Sequence, residues 1–156
     1  TTCLEAGIGS NVSVEVGGKT DSLHGNPVML NGRITRISDG RFEDKGTVHA
    51  GWRFFDGGTT IVIESEEGPT VALVTTRVGN MSREQFYSLG YRPDDFDIVV
   101  AKGVVSPRPA YQPIASEIVT VNTPGATSAD MSTFDYKRVR KSLYPLDLEA
   151  TYLYND

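Results

Sequence analysis

The stretch VSVEVGGKTDSLHGNPVMLNGRITRI, residues 12–37, sets the architecture of the first part of the chain. Valine alternates with serine or glutamate over residues 12–16, and apolar residues recur over residues 28–37. Such patterns are typical of half-buried β-strands. The residues between them include a glycine pair and the run His24-Gly25-Asn26-Pro27, which interrupts helices. The sequence therefore predicts two strands joined by a polar turn.

The same turn contains GGKT, residues 17–20, which is similar to the end of the P-loop pattern. In a P-loop, a glycine-rich loop wraps phosphates and leads directly into a helix. The position of the leading glycine is occupied here by Ser13, the preceding residues are strand-like, and the following ones break a helix. The sequence excludes a P-loop.

Composition limits the class of protein. The chain has 156 residues, of which 38% are hydrophobic, so we expect one domain over residues 1–156 with a core that needs no metal or disulfide. The net charge of −5 argues against nonspecific nucleic-acid binding. Cys3 is the single cysteine and cannot form an internal disulfide, which favours a reducing compartment, the cytoplasm. No apolar run approaches the roughly 20 residues that span a membrane.

Further hairpin and helix signals follow along the chain. The runs TTIVIES (59–65) and TVALVTTRV (70–78) flank a Glu66-Glu67-Gly68-Pro69 turn and predict an antiparallel hairpin. Ser82 and Gln85 have the spacing of a capping box at the start of a short helix, and Gly90 would end that helix.

Two later segments favour a βαβ unit. FDIVVA (96–101) and EIVTVN (117–122) are strand-like, and residues 113–116 predict a helical turn between them. A strand, a short crossover and a second strand would lie parallel. The predicted fold class is α+β, a strand-rich single domain with antiparallel hairpins, a short capped helix and this βαβ unit.

The first residues indicate the end of a helix. TTCLEAGIG (1–9) places Leu4 and Ala6 before a glycine that suits a helix C-terminus. We expect the rest of that helix to lie upstream of Thr1, so that the chain is part of a longer protein.

A family resemblance is carried by strings in a collinear order. They cover nearly the whole chain and are LEAGIG (4–9), GGKTDSLHGNPV (17–28), SDGRF (38–42), TTRV (75–78), FYSLGYRPDDFDIVVAKGVVSPRPAYQPIASEI (86–118), VNTPGATSAD (121–130) and YKRVRKSLYPLD (136–147). This run resembles the C-terminal domain of MlrC-type proteins, the family of microcystinase C and related zinc metallopeptidases.

The resemblance implies that two domains of the full protein have different roles. In this family a larger N-terminal domain carries the metal ligands, and zinc-dependent cleavage of small peptides is the described activity. It follows from the resemblance that residues 1–9 are the remnant of an interdomain helix and that zinc is bound on an N-terminal domain absent from this chain. We expect no cofactor in this chain, no catalytic residue, and no activity of the chain alone.

The residues themselves offer few metal ligands or nucleophiles. A catalytic zinc takes about three protein ligands, whereas the chain has two histidines, His24 and His49, and no His-Glu-x-x-His helix. Asp21 precedes His24 by three residues; the pair suits hydrogen bonds within its own turn, a position at the edge of a substrate cleft, or zinc ligation. Cys3 has no charged neighbour to activate it, and no serine lies in a G-x-S-x-G elbow.

The segment AKGVVSPRPAYQP (101–113) presents two basic residues. Lys102 follows a predicted strand, and Arg108 lies between two prolines that stiffen its backbone. A rigid guanidinium can bind a carboxylate or phosphate, or it can pair with an internal or interdomain carboxylate. Many relatives have a histidine followed by Phe-Arg-Ala after this lysine, whereas this chain has Ser106-Pro107-Arg108-Pro109, which leaves a histidine-dependent role here without support.

The candidate residues for substrate binding or the interdomain cleft are Lys19, Asp21, His24, Lys102 and Arg108. The expected partners are an N-terminal domain and a small peptide or amide substrate, without nucleic acid or membrane, and an exposed docking face would also permit homo-oligomers. Two other functions are open: a noncatalytic module that binds an anionic small molecule or peptide through Lys102 and Arg108, and a purely structural domain.

Overall fold

The computed structural model describes residues 2–22, 24–46, 51–103, 105–123, 128, 130–140 and 142–151. His49, considered above as a metal ligand, lies outside these residues. The strands are β1 (Asn11–Val16), β2 (Val28–Ser38), β3 (Arg41–Glu43), β4 (Phe54–Asp56), β5 (Thr60–Glu64) and β6 (Thr70–Val74). The helices are α1 (Thr2–Ala6), α2 (Glu84–Ser88) and α3 (Arg108–Tyr111), with 3₁₀ turns at Pro93–Asp95 and Met131–Thr133.

Four of the strands form one antiparallel sheet in the order β1-β2-β5-β6, and β3 pairs with β4 in a second small sheet. The β1–β2 register runs from Val16 opposite Val28 to Asn11 opposite Arg33, so the polar turn of residues 17–27 joins adjacent strands as predicted. The predicted hairpin across residues 66–69 is confirmed by the β5–β6 pairing. The α+β class with antiparallel hairpins is thereby confirmed.

The core lies against the central strands. Leu30 and Ile34 of β2 and Ile61 and Ile63 of β5 form a buried cluster. Val12, Val14 and Val16 of β1 and Val71 and Leu73 of β6 pack against it, because alternate side chains of these flanking strands lie on the same face of the sheet. Cys3 of α1 also contacts the cluster.

A β-bulge interrupts β2 at Thr35. Ile34 is opposite Ile63 and Arg36 is opposite Val62, so Thr35 has no residue opposite it on β5. The Thr35 hydroxyl instead lies 2.7 Å from the Tyr91 hydroxyl, which also donates to Glu64 Oε1 at 2.6 Å. The bulge therefore links the sheet to the segment after α2.

Helix α2 forms where the sequence predicted it. Ser82 Oγ accepts a hydrogen bond from the Glu84 backbone N–H, whereas Gln85 Oε1 accepts from Asn80 Nδ2 instead of completing a capping box. The Gly90 and Tyr91 N–H groups donate to the carbonyls of Tyr87 and Phe86, the Schellman arrangement that ends a helix. The predicted stop at Gly90 is confirmed.

The predicted βαβ unit is wrong in its pairing. Residues 96–101 and 117–122 are outside the strands of either sheet, and the helical turn lies at Arg108–Tyr111 rather than at 113–116. A strand exists only through hydrogen bonds to a neighbouring strand, and within the described part of the chain the backbone hydrogen bond of these two segments is the one from the Phe96 N–H to the nearby Pro93 carbonyl. The composition of a segment shows whether it is strand-like but not whether a neighbouring strand is present to pair with it.

Tyr111 provides a pH-dependent contribution to stability. Its ring is 8% exposed and lies edge-on against Phe86, with centroids 6.3 Å apart. Its hydroxyl has no hydrogen-bond partner among the described residues. Burial raises the pKa of Tyr111 to about 12, since the phenolate would lose its hydration. The folded state therefore favours the neutral phenol.

We expect stability to fall as pH rises from 10 to 12. The unfolded tyrosine ionises near pH 10, so the contribution is fully present below that pH and is lost as pH rises through the folded pKa, by up to about 2–3 kcal/mol. Urea titrations at pH 7, 10 and 11.5 would measure it. Tyr111→Phe should flatten the curve while changing stability at pH 7 by less than about 1 kcal/mol. An equally steep fall of stability with pH in Tyr111→Phe would contradict the assignment of this effect to Tyr111. A small residual slope is expected from Tyr91, whose pKa is also raised, mainly by burial.

Candidate functional site

The candidate site is the loop of residues 17–27 between β1 and β2. The two ends of this loop touch at Gly18, where a Cβ atom would lie 2.4 Å from the carbonyl carbon of Asn26 and 2.5 Å from the nitrogen of Pro27. Only glycine fits this approach. The loop therefore closes on itself and holds its polar side chains on a compact support.

Asp21 and His24 form a close pair within this loop. His24 Nδ1 lies 2.7 Å from Asp21 Oδ1 and 2.8 Å from Oδ2, and the His24 backbone N–H donates to Oδ1 at 3.1 Å. The predicted hydrogen bonding within the turn is confirmed. In the neutral imidazole, a proton on Nδ1 donates to the carboxylate and leaves the lone pair on Nε2. The histidine side chain is 32% exposed, so it is accessible from outside the chain.

Lys19 points away from this pair. Its ammonium donates to the Glu15 carbonyl at 2.6 Å and lies 4.0 Å from the Glu15 carboxylate, so it folds back along β1. Both side chains are more than half exposed, and such an ion pair contributes little to stability. The structure brings Asp21 and His24 together and directs Lys19 to Glu15.

Lys102 and Arg108 lie on a separate segment. Arg108 begins α3 between Pro107, which is buried, and Pro109, so its backbone is firmly held while its side chain is exposed. In the described part of the chain, neither basic side chain has a hydrogen bond or an ion pair, and no hydrogen bond joins them to the 17–27 loop. The internal pairing considered for Arg108 is therefore not formed among those residues.

The described residues do not assemble a metal site. No group of three or more His, Cys, Asp or Glu side chains converges among them. The Asp21–His24 pair supplies two candidate groups, and the carboxylate of one is already engaged with the ring of the other. A catalytic zinc needs about three protein ligands, so these residues alone do not fit that role.

A surface depression of about 410 Å³ is also present, beside the middle of β2, where the β1–β2 ladder ends. It is lined by Gly9, Asn11, Arg33, Glu64, Ser65 and Glu66. Asn11 and Arg33 are paired at one end of the β1–β2 ladder, whereas the 17–27 loop follows the other end. A six-residue strand is roughly 17–20 Å long, which separates this depression from the Asp21–His24 pair.

The sequence reasoning missed an aromatic group on the β3–β4 hairpin. The rings of Phe42 and Phe55 stack at 4.8 Å, and Trp52 stacks on Phe55 at 5.7 Å. Trp52 and Phe54 are 60% and 70% exposed. The run Trp52-Arg53-Phe54-Phe55 was the available signal, but strands of three residues are too short for an alternation pattern.

Comparison with known proteins identifies the family to which the chain belongs. Residues 1–138 match the family model described as "MlrC C-terminus", and the chain belongs to this family. The chain is also similar to the crystal structure of a "Putative metallopeptidase" from Mesorhizobium sp. BNC1, with a TM-score of 0.78 and 25% sequence identity. That match covers 99% of this chain and 30% of the other, so this chain spans less than a third of its length.

Two further comparisons are negative. No curated protein matches the chain. In the residues that the structure describes, no helix is long and apolar enough to cross a membrane.

Proposed function

We propose that this chain is the C-terminal domain of an MlrC-like, zinc-dependent peptide or amide hydrolase, a single domain over residues 1–156. In this proposal the zinc is bound by an N-terminal domain, and the present chain shapes or covers the metal site. The observation that carries the proposal is the match of 99% of this chain to 30% of the chain described as a "Putative metallopeptidase". The free thiol of Cys3 is compatible with the cytoplasm as the compartment.

The Asp21–His24 pair supports a place at the edge of the cleft. A carboxylate that binds Nδ1 fixes the orientation of the ring and directs Nε2 outward, as in other sites where a carboxylate orients a histidine. Such a ring can accept a hydrogen bond from a substrate amide or donate one when protonated. We assign His24 to contact with the substrate or the facing domain, and Asp21 to the orientation of His24.

Lys102 and Arg108 supply positive charge to the same proposed cleft. Without internal carboxylate partners among the described residues, they can receive the carboxylate of a peptide or an acidic side chain of the N-terminal domain. Lys19 is the third basic candidate; its exposed side chain would have to leave Glu15 to take part, at little cost.

His24→Ala in the zinc-loaded full-length protein should lower kcat/KM for short peptides by about 10- to 100-fold, which corresponds to the loss of about 1.4–2.8 kcal/mol of transition-state binding. Asp21→Asn should have a smaller effect because the ring remains. Lys45→Ala is the matched control, since Lys45 is 76% exposed and outside both segments. Steady-state kinetics with melting temperatures would test this, and unchanged kinetics in His24→Ala would refute the role.

A noncatalytic anion-binding module is the second candidate, favoured by the unpaired state of Lys102 and Arg108 in the described residues. Phosphate and a short acidic peptide are suitable probes. A rise in melting temperature that is lost in Arg108→Ala would favour this module, because a ligand that binds only the folded state stabilises it. Unchanged melting across both probes would instead favour a purely structural domain.

A further inference from the structure

Two segments with the composition of buried strands are exposed in the second half of the chain. They are FDIVVA (96–101) and EIVTVN (117–122). Four of their aliphatic side chains are at least 70% exposed: Ile98, Val100, Val119 and Val121. Scattered exposed apolar residues are normal, but a contiguous set marks an interaction surface.

The first segment is apolar on both faces. Ile98 and Val100 are 81% and 85% exposed, whereas the alternate residues Val99 and Ala101 are half-buried against the rest of the chain. A strand that is apolar on both faces is typical of a sheet covered on both sides. The described residues supply cover for one side only.

Beyond Phe96, the backbone of both segments is also without backbone hydrogen bonds among the described residues. In the described part of the chain, the peptide groups of residues 97–103 and 117–123 form no backbone hydrogen bond. Extended backbone with free N–H and C=O groups is a template for strand addition. Apolar side chains and free peptide groups in the same segments point to pairing with a strand from another domain rather than to contact of side chains alone.

The comparison indicates which domain is the partner. The Mesorhizobium sp. BNC1 chain shares this fold over 99% of the present chain, and 70% of its length lies outside the match, since the match covers 30%. We infer that residues 96–101 and 117–122 become strands of a sheet completed by the N-terminal domain of an MlrC-type protein. This inference rests on the proposed function, because it takes that domain as the partner.

Hydrogen–deuterium exchange tests the pairing directly. The two samples are the 156-residue chain alone and the full-length protein in which it follows its N-terminal domain. The amides of 96–101 and 117–122 should exchange at least 100-fold more slowly in the full-length protein. Equal exchange in both samples would overturn the inference. Protection in the chain alone that rises with its concentration would overturn it too, because a second copy would then be the partner.

A charge in the exposed face should weaken the docking. Val100→Asp should leave the melting temperature of the chain alone unchanged, since Val100 is 85% exposed, and should remove most of the added protection in the full-length protein. Val119→Asp serves as the second variant. Phe54→Asp is the matched control, an apolar residue 70% exposed on β4, and should keep the protection. Equal loss in Phe54→Asp would contradict a docking surface confined to the two segments.

The two proposals fail in different ways. Protected segments in a full-length protein whose kcat/KM is unchanged by His24→Ala would refute the proposed role of the Asp21–His24 pair and support the strand pairing. Unprotected segments in a protein that is inactivated by His24→Ala would refute the strand pairing alone.

Discussion

Ile34→Ala is expected to lower the free energy of unfolding by about 3–4 kcal/mol, within the range measured for large-to-small changes in cores. Ile34 is fully buried and opposite Ile63, which is also fully buried, in the central strands β2 and β5. Truncation removes apolar contacts and leaves a cavity between strands whose backbones are fixed by hydrogen bonds on both sides, so the site cannot collapse.

Urea denaturation of the chain would measure this loss. Ile98→Ala is the control, because the same three carbon atoms are removed from a side chain that is 81% exposed, and it should change stability by less than about 0.5 kcal/mol. Similar losses in the two variants would mean that the β2–β5 cluster is not the principal core.

Gly40→Ala is expected to destabilise the chain by about 2–5 kcal/mol, the sum of a left-handed backbone cost of ~1–2 kcal/mol and a steric cost of ~1–3 kcal/mol. Gly40 has φ +71° and ends the turn after β2. An added Cβ would lie 2.0 Å from the Gly58 carbonyl oxygen and 2.5 Å from Thr60 Oγ1. The Gly40 carbonyl also accepts from the Gly57 N–H at 2.9 Å, so moving this turn breaks a bond between the segments that join β2 to β3 and β4 to β5.

Gly17→Ala separates the two contributions. Gly17 has nearly the same φ, +69°, but no atom within 4 Å of the added Cβ, so it carries only the backbone cost, about 1–2 kcal/mol. Thermal and urea unfolding of both variants would give the difference. Equal destabilisation would show that the contact of Gly40 with Gly58 relaxes without cost.

Hydrophobic patterns and turn residues in the sequence predicted the strands whose formation depends mainly on neighbouring residues. The strand-like runs of β1 and β2, and those of β5 and β6, flank turns that contain glycine and proline, so these two hairpins followed from the sequence. The pairing of β2 with β5, which joins the two hairpins into one sheet, was not predicted. Strands β3 and β4 have three residues each and are defined by their mutual hydrogen bonds and ring stacking, which no periodicity reveals. For 96–101 and 117–122 the strand-like composition was clear, but pairing depends on a partner that composition cannot identify.

In the candidate site, too, the sequence predicted contacts between residues close along the chain but not contacts between distant ones. Asp21 and His24 are three residues apart, so their contact is a property of one turn and could be anticipated. The turn of Lys19 towards Glu15 depends on the direction of a flexible side chain leaving β1. The placement of Lys102 and Arg108 relative to that turn depends on how distant segments pack, which spacing along the chain does not encode.

The bulge at Thr35 has a consequence for protein engineering and for alignment of related chains. Before it, the even-numbered residues Leu30 and Ile34 face the core, and after it the odd-numbered Ile37 does, while Arg36 extends over the Tyr91 ring. A design algorithm that assumes strict alternation would place Arg36 inside and Ile37 outside. Deleting Thr35 would remove the bulge and leave Arg36 outside and Ile37 inside, so the inside and outside positions of β2 should be assigned separately on the two sides of Thr35.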